Sequence, residues 1–491
     1  MITVVGTGTG TGTGAGASVA PEALAGAALV VGGRRHLDAV RLPEGAERIV
    51  LGPLAPALDT IGEYVAKDLP VTVLASGDPG FFGIVRVLAE RFGAERLDVR
   101  AEVSSVAAAF ARVGLPWDDA VVVSAHGREL RTAVNACRAH PKVAVLTGPG
   151  AGPAELGAAL RHAFGIPGAM PTPGAMPTPE ATSTPEATPT PEAVSTPDAT
   201  STPEATSTPE AVSTPEATSA SASPPAVAHA AAVAHAAGAR VLVVASALGS
   251  ARERVERVTP AEAAARDWGT DVSVVLCLDE ARALGAVRTV AGGRAEPAGW
   301  ALGEDAFAHR DSMITKFEVR ALALARLGPR LGDLVWDVGA GSGSVAVECA
   351  RLGAAVVAVE KAADGAARIA ANARAHGVYV DVVCDMAPDA LAGLPDPDAV
   401  FIGGGGTDLP AIVGACAARA RRTVVVAMAA LDRVPAVRAA LTGAGFSCDG
   451  VLLQSSRLAP LPGDVTRLAA TNPVFLLWGT RTPLSQEGVA Q

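Results

Sequence analysis

Residues 334–350, LVWDVGAGSGSVAVECA, place glycines where a backbone turn would let a ligand approach closely. An apolar run of strand length leads into this turn, and a helix-like segment begins at Ser344. Glycines at such a turn bring backbone amides at a helix N-terminus within reach of a ligand. The pattern indicates a nucleotide or nucleoside site, which the glycines alone do not assign to one cofactor. The glycines concerned are Gly339, Gly341 and Gly343.

Carboxyl groups near this turn narrow the choice of cofactor. Asp337 stands just before the first glycine, and the spacing is G-x-G-x-G, whereas dinucleotide sites carry G-x-G-x-x-G. Glu360 ends the next apolar strand, where a carboxylate can accept hydrogen bonds from a ribose diol. A third strand leads to Asp385 and Ala387, in position to border an adenine. The ordered set favours S-adenosylmethionine over NAD, although each acid alone could equally be an exposed carboxylate at a strand end.

The N-terminal half carries a second group of candidates, in loops that follow apolar runs. Gly77 and Asp78 belong to a Gly-Asp-Pro-Gly turn, and Ser104 and Ser105 precede a helix-like stretch. Asp in such a turn can simply cap backbone amides, and the two serines are equally suited to be helix N-caps. Five cationic or titratable residues could grip substrate carboxylates, although each alone could be a solvated surface charge. They are Arg34, Arg35, His36, His126 and Arg128.

The elements that would position these residues alternate between strand and helix. Apolar runs such as Val71–Ala75 and Leu334–Val338 are separated by Ala-rich helical stretches, which predicts α/β architecture in both halves. The spacing of the strands after Trp300 suits a doubly wound parallel sheet. Between residues 166 and 238, Pro recurs in Thr-Pro-Glu-Ala units without aromatic residues, Lys or Arg, which predicts a disordered, extended insertion in a helix–strand loop.

Composition excludes several classes of protein. Of the 491 residues, 49% are hydrophobic, but no apolar run approaches the roughly 20 residues that span a membrane, and no secretory signal is visible. We therefore expect a cytoplasmic protein without membrane partners. The net charge of −10, seven of it from the insertion, argues against nucleic acid as a partner. The six cysteines are scattered without a CxxC pair, so we expect no metal site.

The C-terminal half resembles the CbiT-type precorrin methyltransferases. The resemblance rests on the glycine turn, on HRDSMITK at residues 309–316, on PDAVFIGGGG at residues 397–406 and on NPVF at residues 472–475. It implies a class I fold that uses S-adenosylmethionine to methylate a corrin precursor and that decarboxylates an acetate side chain. Beside this cofactor, Thr315 is a candidate to face it, and nearby cationic residues are candidates to hold substrate carboxylates, with His309 as a hypothetical general acid. These residues are His309, Arg310, Lys316 and Arg320.

The N-terminal half resembles the tetrapyrrole methylase family, in its CbiE branch. This resemblance implies two small α/β lobes that hold S-adenosylmethionine in a cleft, which the loops containing Gly77-Asp78 and Ser104-Ser105 would line. The chain departs from the family in an enlarged Thr-Gly repeat at residues 7–14 and in Ala245–Gly249, where the family often has an acidic residue and Asn. Both departures bear on the affinity of this half for the cofactor.

Together the halves resemble the fused CobL-type enzymes of cobalamin biosynthesis. We expect a two-lobed tetrapyrrole methylase domain at residues 1–299, interrupted by the insertion at 166–238, and a doubly wound class I methyltransferase domain at 300–491. The resemblance implies methylation of precorrin-6Y at C-5 and C-15 with loss of the ring C acetate carboxyl, giving precorrin-8, and formation of a homo-oligomer. Two alternatives remain: the N-terminal half only binds tetrapyrrole, or the class I half acts on RNA, against which the acidic balance argues.

Overall fold

Short, β-branched apolar runs fold into the central strands of three sheets, and the Ala-rich segments between them form covering helices. The computed structural model describes residues 1–7, 21–164, 240–271, 273–284, 299–310 and 313–481. The proposed insertion at 166–238 and the Thr-Gly repeat beyond Thr7 lie outside these ranges. Within them, no helix is long and apolar enough to cross a membrane.

The first lobe is a five-stranded parallel sheet in the order β3-β2-β4-β1-β5. Its strands are β1 (Ile2–Thr7), β2 (Leu29–Gly32), β3 (Glu47–Val50), β4 (Val71–Ser76) and β5 (Leu97–Arg100). Its helices are α1 (Pro21–Leu24), α2 (Arg34–Asp38), α3 (Leu54–Ala66) and α4 (Val85–Phe92). The next helix, α5 (Ser105–Val113), packs against the sheet of the second lobe. Because all five strands run in one direction, the loops after β1, β2 and β4 meet at one edge of the sheet.

The second lobe is a mixed five-stranded sheet in the order β6-β7-β10-β8-β9. Its strands are β6 (Val121–Ser124), β7 (Lys142–Leu146), β8 (Arg240–Ser246), β9 (Arg254–Val258) and β10 (Ser273–Asp279). Its helices are α6 (Leu130–Ala139), α7 (Pro153–Phe164) and α8 (Pro260–Ala265). The central strand β10 is buried along its whole length and pairs antiparallel with β7 and β8, so the residues on either side of the insertion belong to one sheet.

The C-terminal sheet has seven strands in the order β13-β12-β11-β14-β15-β19-β16. The strands of this half are β11 (Leu334–Val338), β12 (Ala355–Val359), β13 (Asp381–Val383), β14 (Ala399–Ile402), β15 (Thr423–Met428), β16 (Ser447–Leu453), β17 (Ser456–Leu461), β18 (Val465–Ala470) and β19 (Val474–Thr480). The helices are α9 (Phe317–Leu327), α10 (Ser344–Arg351), α11 (Ala363–Ala375), α12 (Leu409–Arg419) and α13 (Val434–Gly443).

Helices cover both faces of this sheet, as the doubly wound fold requires. Trp336 and Val338 of β11 enter the core that contains α12 and α13, whereas Val335 enters the core that contains α9, α10 and α11. The first five strands are parallel, β19 runs antiparallel to them beside β15, and β16 pairs antiparallel with β19 at the edge. The predicted α/β architecture, with its doubly wound C-terminal sheet, is thus confirmed.

Helix α6 of the second lobe also contacts the C-terminal half. The Arg131 guanidinium donates to both carboxylate oxygens of Asp398 at 2.6 and 2.7 Å, and the Asn135 side chain donates to the Gly332 carbonyl at 2.9 Å. Beside this helix, the Tyr379 ring lies within 4.5 Å of two guanidinium groups from the N-terminal half. Ion pairs and cation–π contacts therefore join the second lobe to the C-terminal sheet.

Candidate active sites

The C-terminal sheet reverses its strand order between β11 and β14. Ligands of doubly wound sheets bind at the carboxyl ends of strands beside such a reversal. A cavity of about 640 Å³ opens there. Its walls include seven of the residues that the sequence analysis singled out, which are Arg310, Thr315, Lys316, Asp337, Gly339, Gly341 and Glu360.

The glycines of the turn after β11 are required by conformation and by space. Gly339, Gly341 and Gly343 all have φ between +58° and +70°, a region that other residues rarely adopt. A β-carbon on Gly343 would also lie 2.8 Å from the Ile369 side chain. At Gly341 a β-carbon would meet no protein atom within 4 Å, because this residue faces the open cavity. The turn therefore presents bare backbone to a ligand.

Asp337 is a buried carboxyl group with one oxygen committed and one without a partner. Its Oδ2 accepts a hydrogen bond from the Ala346 amide in the first turn of α10 at 2.9 Å. Its Oδ1 is buried and has no hydrogen-bond partner among the described residues. Burial raises the pKa of this group to about 7, against the opposing effect of the Ala346 amide. A buried acceptor without a partner in a cavity wall suits a ligand that brings a donor.

The Glu360 side chain connects the glycine turn to the loop that follows β12. Its Oε2 accepts from the Gly341 amide at 2.9 Å, and its Oε1 accepts from the Ala362 amide at 3.0 Å. A β-carbon on Gly365 would lie 2.7 Å from the Glu360 side chain, so that glycine leaves room for it. Each carboxylate oxygen keeps a further lone pair, which is the arrangement that a ribose diol requires. These residues fit the nucleoside part of S-adenosylmethionine.

Five residues expected beside this cofactor or its substrate are not in the cavity wall, and one of them is Gly343 of the glycine turn. His309 is exposed, and Asp385 is exposed with its carboxylate accepting from the Met386 amide. Ala387 packs against the core of α12 and α13. Arg320 is fully buried, and all its partners are protein groups: it donates to the carbonyls of Leu302 and Thr315 and lies 3.7 Å from the Glu348 carboxylate. Arg320 therefore fastens the segment that carries Thr315.

A second cavity, of about 390 Å³, lies where the two N-terminal lobes meet. The wall includes Arg35 and His36 of the first lobe and Ser105 at the start of α5, all three of them candidates from the sequence. Second-lobe residues of the wall include the loop from Ala247 to Ser250, together with Arg252 and Asp271. This is the cleft between lobes that the sequence analysis expected.

Three side chains at the edge of the first sheet form one hydrogen-bonded cluster. The Arg35 Nε donates to His36 Nε2 at 3.0 Å, and the same guanidinium donates to the Ser76 hydroxyl. Ser76 Oγ also lies 3.1 Å from His36 Nε2. Burial, with the adjacent guanidinium, lowers the pKa of His36 to about 4, so the imidazole is neutral at pH 7. Since Nε2 accepts from Arg35, the proton of the neutral ring is on Nδ1.

The other N-terminal candidates lie outside this cavity wall. Ser104 caps α5 by accepting from the Ala107 amide at 3.1 Å, and Asp78 caps its turn by accepting from the Gly80 amide at 2.8 Å. Gly77 is buried with φ +55°, in close contact with the loop before α5. The remaining three, Arg34, His126 and Arg128, are exposed.

Comparison with known proteins agrees with this division. A family model of the tetrapyrrole (corrin/porphyrin) methylases matches residues 1–170, and a model of the precorrin methyltransferase domain matches residues 305–478. Over 396 residues the chain is 32% identical to a precorrin-6Y C(5,15)-methyltransferase (decarboxylating) of Sinorhizobium, covering 79% of this chain and 75% of that one. The chain belongs to this precorrin-6Y methyltransferase family. The resemblance found in the sequence is thus confirmed.

Shorter relatives match parts of this precorrin-6Y methyltransferase family member. A cobalt-precorrin-7 C(5)-methyltransferase of Salmonella typhimurium is 36% identical over 159 residues, which is 32% of this chain and 75% of the relative. The solved C-terminal domain of a Rhodobacter capsulatus precorrin-6Y C5,15-methyltransferase is 35% identical and covers 37% of this chain and 97% of that domain, with a TM-score of 0.33.

Several cavity residues of this family member have no local sequence signal. Arg433 lines the C-terminal cavity because β15 ends beside β14, and Asp271 lines the N-terminal one because β10 is the middle strand of its sheet. Neither belongs to a motif. By contrast, the run Gly403–Gly406 was visible in the sequence and now proves to line the C-terminal cavity.

Proposed function

We propose that this chain methylates precorrin-6Y at C-5 and C-15 with S-adenosylmethionine as donor and removes the ring C acetate carboxyl as carbon dioxide, giving precorrin-8. The observation that carries the proposal is the pair of Asp337 and Glu360 in one cavity at the strand-order reversal. Family membership supports the substrate, the cobalamin pathway and the decarboxylation.

In the C-terminal site, Glu360 would hold the ribose hydroxyls and the turn at Gly339–Gly343 would lie against the methionine part of the cofactor. Bound S-adenosylmethionine supplies an electrophilic methyl group to an electron-rich ring carbon, so the protein need not provide a nucleophile. The tasks left to the chain are alignment and exclusion of water. Thr315 and Lys316 line the same cavity. We assign Thr315 to the cofactor and Lys316 to a substrate carboxylate.

Decarboxylation breaks the bond between the acetate methylene and its carboxyl carbon. The electron pair flows into the conjugated ring system, and a proton must then be supplied. Arg310, in the cavity wall and 3.7 Å from Asp364, is a candidate for holding substrate carboxylates. His309 remains our hypothesis for the general acid, and wild-type decarboxylation by a His309→Ala variant would eliminate it.

In the N-terminal site, we assign carboxylate binding to Arg35, with His36 and Ser76 orienting it. Arg34, His126 and Arg128 are further candidates on the exposed surface. Gly77, Asp78, Ser104 and Ser105 would shape the cofactor cleft, Ser105 from within its wall. The alternative is that this half only binds tetrapyrrole and delivers it to the C-terminal site. Calorimetric titration of S-adenosylmethionine into a Glu360→Ala chain tests this, since binding must then occur in the N-terminal cleft.

We further propose domains at residues 1–299 and 300–491. All strands of the first two sheets precede Glu280, and all strands of the third follow Asp333. A homo-oligomer is supported by the β17–β18 hairpin, on which Leu458 and Leu468 pair with each other while 79% and 68% exposed. Such exposed leucines are typical of a surface that a second copy covers. We place the enzyme in the cytoplasm, without nucleic acid or membrane partners.

Mass spectrometry of precorrin-6Y after incubation with single-site variants assigns the reactions. For Glu360→Ala we expect no C-15 methyl group and no loss of carbon dioxide. For Arg35→Ala we expect the C-15 methyl group and decarboxylation with reduced C-5 methylation. If Arg35→Ala leaves both methylations at the wild-type rate, the assignment of the N-terminal cavity is wrong.

A further inference from the structure

The C-terminal cavity has a second half that the cofactor residues do not use. Asp337 and Glu360 lie at the ends of β11 and β12, on one side of the strand-order reversal. On the other side, β14 ends in Gly403–Gly406 and β15 leads to Arg433, and both segments line the same cavity. Neighbouring strands are about 4.8 Å apart, so Arg433 follows a strand two positions, about 10 Å, from β11.

Within the run 403–406, Gly404 is the glycine that neither backbone conformation nor contact with neighbouring protein atoms explains. Gly406 has φ +53°, a β-carbon on Gly405 would lie 3.0 Å from the Leu409 backbone, and one on Gly403 would lie 3.1 Å from the Phe401 ring. At Gly404 the backbone is not in the left-handed region, and a β-carbon would meet nothing within 4 Å. The absence of a side chain at Gly404 therefore leaves open space in the cavity.

Gly404 also lies directly beside the cofactor turn. A β-carbon built on Gly339 would be 3.2 Å from the Gly404 nitrogen, so the loops after β11 and β14 are in contact. A flat molecule lying on the Gly404 backbone would therefore have its face next to the cofactor half of the cavity. Bare backbone is the floor that a rigid, planar ring system needs for close approach.

The cations of the cavity divide into two kinds. Arg310 and Arg368 both reach the Asp364 carboxylate, at 3.7 and 2.9 Å. Lys316 and Arg433, both half-buried, have no carboxylate partner within the part of the chain that the structure describes. A partly buried guanidinium facing a cavity is a natural receptor for a ligand carboxylate, which it can bind through two parallel hydrogen bonds.

We propose that Gly404 and Arg433 form the substrate side of the C-terminal site. The ligand class is a planar macrocycle with carboxylate arms: its face lies on the backbone at Gly404, and Arg433 binds a carboxylate that the reaction retains. The acetate that leaves must lie elsewhere, because an ion pair with Arg433 would stabilise it against losing carbon dioxide. This inference rests on the proposed function and adds the residues that select its substrate.

The test compares Arg433→Gln and Gly404→Val in the full chain, with precorrin-6Y as substrate. For Arg433→Gln we expect KM for the tetrapyrrole to rise about tenfold or more, as for a lost charged hydrogen bond, with Arg433→Lys partly restoring it. For Gly404→Val we expect tetrapyrrole binding, followed by its absorbance change, to weaken at least tenfold. Both variants should bind S-adenosylhomocysteine within twofold of wild type and should melt at the wild-type temperature.

Matched controls lie on the same half of the chain. Arg438→Gln changes an exposed arginine of α13, and Gly393→Val changes an exposed loop glycine that also has open space and an ordinary φ. Both should behave as wild type. A fall in S-adenosylhomocysteine affinity with Arg433→Gln, or normal tetrapyrrole binding by both cavity variants, would overturn the inference. Failure of the wild-type chain to bind precorrin-6Y would instead remove the proposed function, and this inference with it.

Discussion

At the scale of single residues, Asp337 connects stability to ligand binding. With a pKa raised to about 7, the folded carboxyl keeps its proton until pH 7, whereas an unfolded aspartate releases it near pH 4. Between those values the native state binds more protons, so this group's contribution to stability falls as pH rises. Asp337→Asn keeps the acceptor for Ala346 and removes the buried charge.

We therefore expect Asp337→Asn to melt about 2–4 °C above wild type at pH 8 and close to wild type at pH 5. Its affinity for S-adenosylhomocysteine should fall about tenfold. Differential scanning fluorimetry and calorimetric titration measure the two effects, with exposed Asp389→Asn as control. If Asp337→Asn were less stable than wild type at pH 8, the charged Asp337 carboxylate would contribute to stability, which would contradict the argument from its burial.

His36 predicts the opposite pH dependence in the N-terminal half. Its folded pKa of about 4 lies below the unfolded value of about 6.5, so between these values the unfolded state binds more protons and stability rises with pH. Between pH 6.5 and 4.5, the free energy of unfolding measured with urea should fall more steeply for wild type than for a His36→Gln variant. Above pH 7 the two free energies should change with pH in parallel. Exposed His126→Gln should follow wild type throughout; equal acid sensitivity of His36→Gln would contradict the burial argument.

At the scale of elements, a buried ion pair fixes the segment that leads into α9. Arg320 on α9 and Glu348 on α10 are both fully buried, and the Glu348 carboxylate also accepts from the Leu302 amide at 2.6 Å. Among the described residues, Arg320→Met leaves Glu348 with Arg351, at 3.0 Å, as its cation. Breaking a buried pair costs about 3–5 kcal/mol.

We expect Arg320→Met to lower the free energy of unfolding by about that amount and to weaken S-adenosylhomocysteine binding through loss of order at Thr315. Exposed Arg330→Gln should change stability by about 0.5 kcal/mol or less. Chemical denaturation measures both. If Arg320→Met were as stable as wild type and bound the cofactor normally but had lost turnover, the structural role would be wrong. Arg320 would then bind substrate, as the sequence suggested.

The sequence was most informative where chemistry and spacing are local. The bounds of β11 were predicted to the residue, and Asp337 and Glu360 were found because strand ends and a glycine turn are visible in one segment. The β17–β18 hairpin was not predicted, because its residues are largely exposed and show no buried face. Arg433 and Asp271 reach their cavities only through the order of strands in a sheet, which no local pattern encodes.

At the scale of the whole molecule, contacts between the second lobe and the C-terminal sheet should make the two halves unfold together. The Arg131–Asp398 ion pair and the Tyr379 ring between Arg240 and Arg282 join them. We expect one calorimetric transition for wild type and two for an Arg131→Ala, Tyr379→Ala double variant. The exposed pair of Arg421 and Glu129 also spans the halves, but Arg421→Ala should leave the single transition, since exposed pairs contribute little. Two transitions in wild type would contradict this coupling.

The central claim is that one chain carries two methylating sites, one of which also decarboxylates. Mass spectrometry of metal-free precorrin-6Y, incubated with the purified chain and S-adenosylmethionine, tests it most directly. We expect two added methyl groups and one lost carbon dioxide in the same product. A product with one methyl group and decarboxylation would contradict the claim for the N-terminal cavity, and an unchanged substrate would contradict it for both.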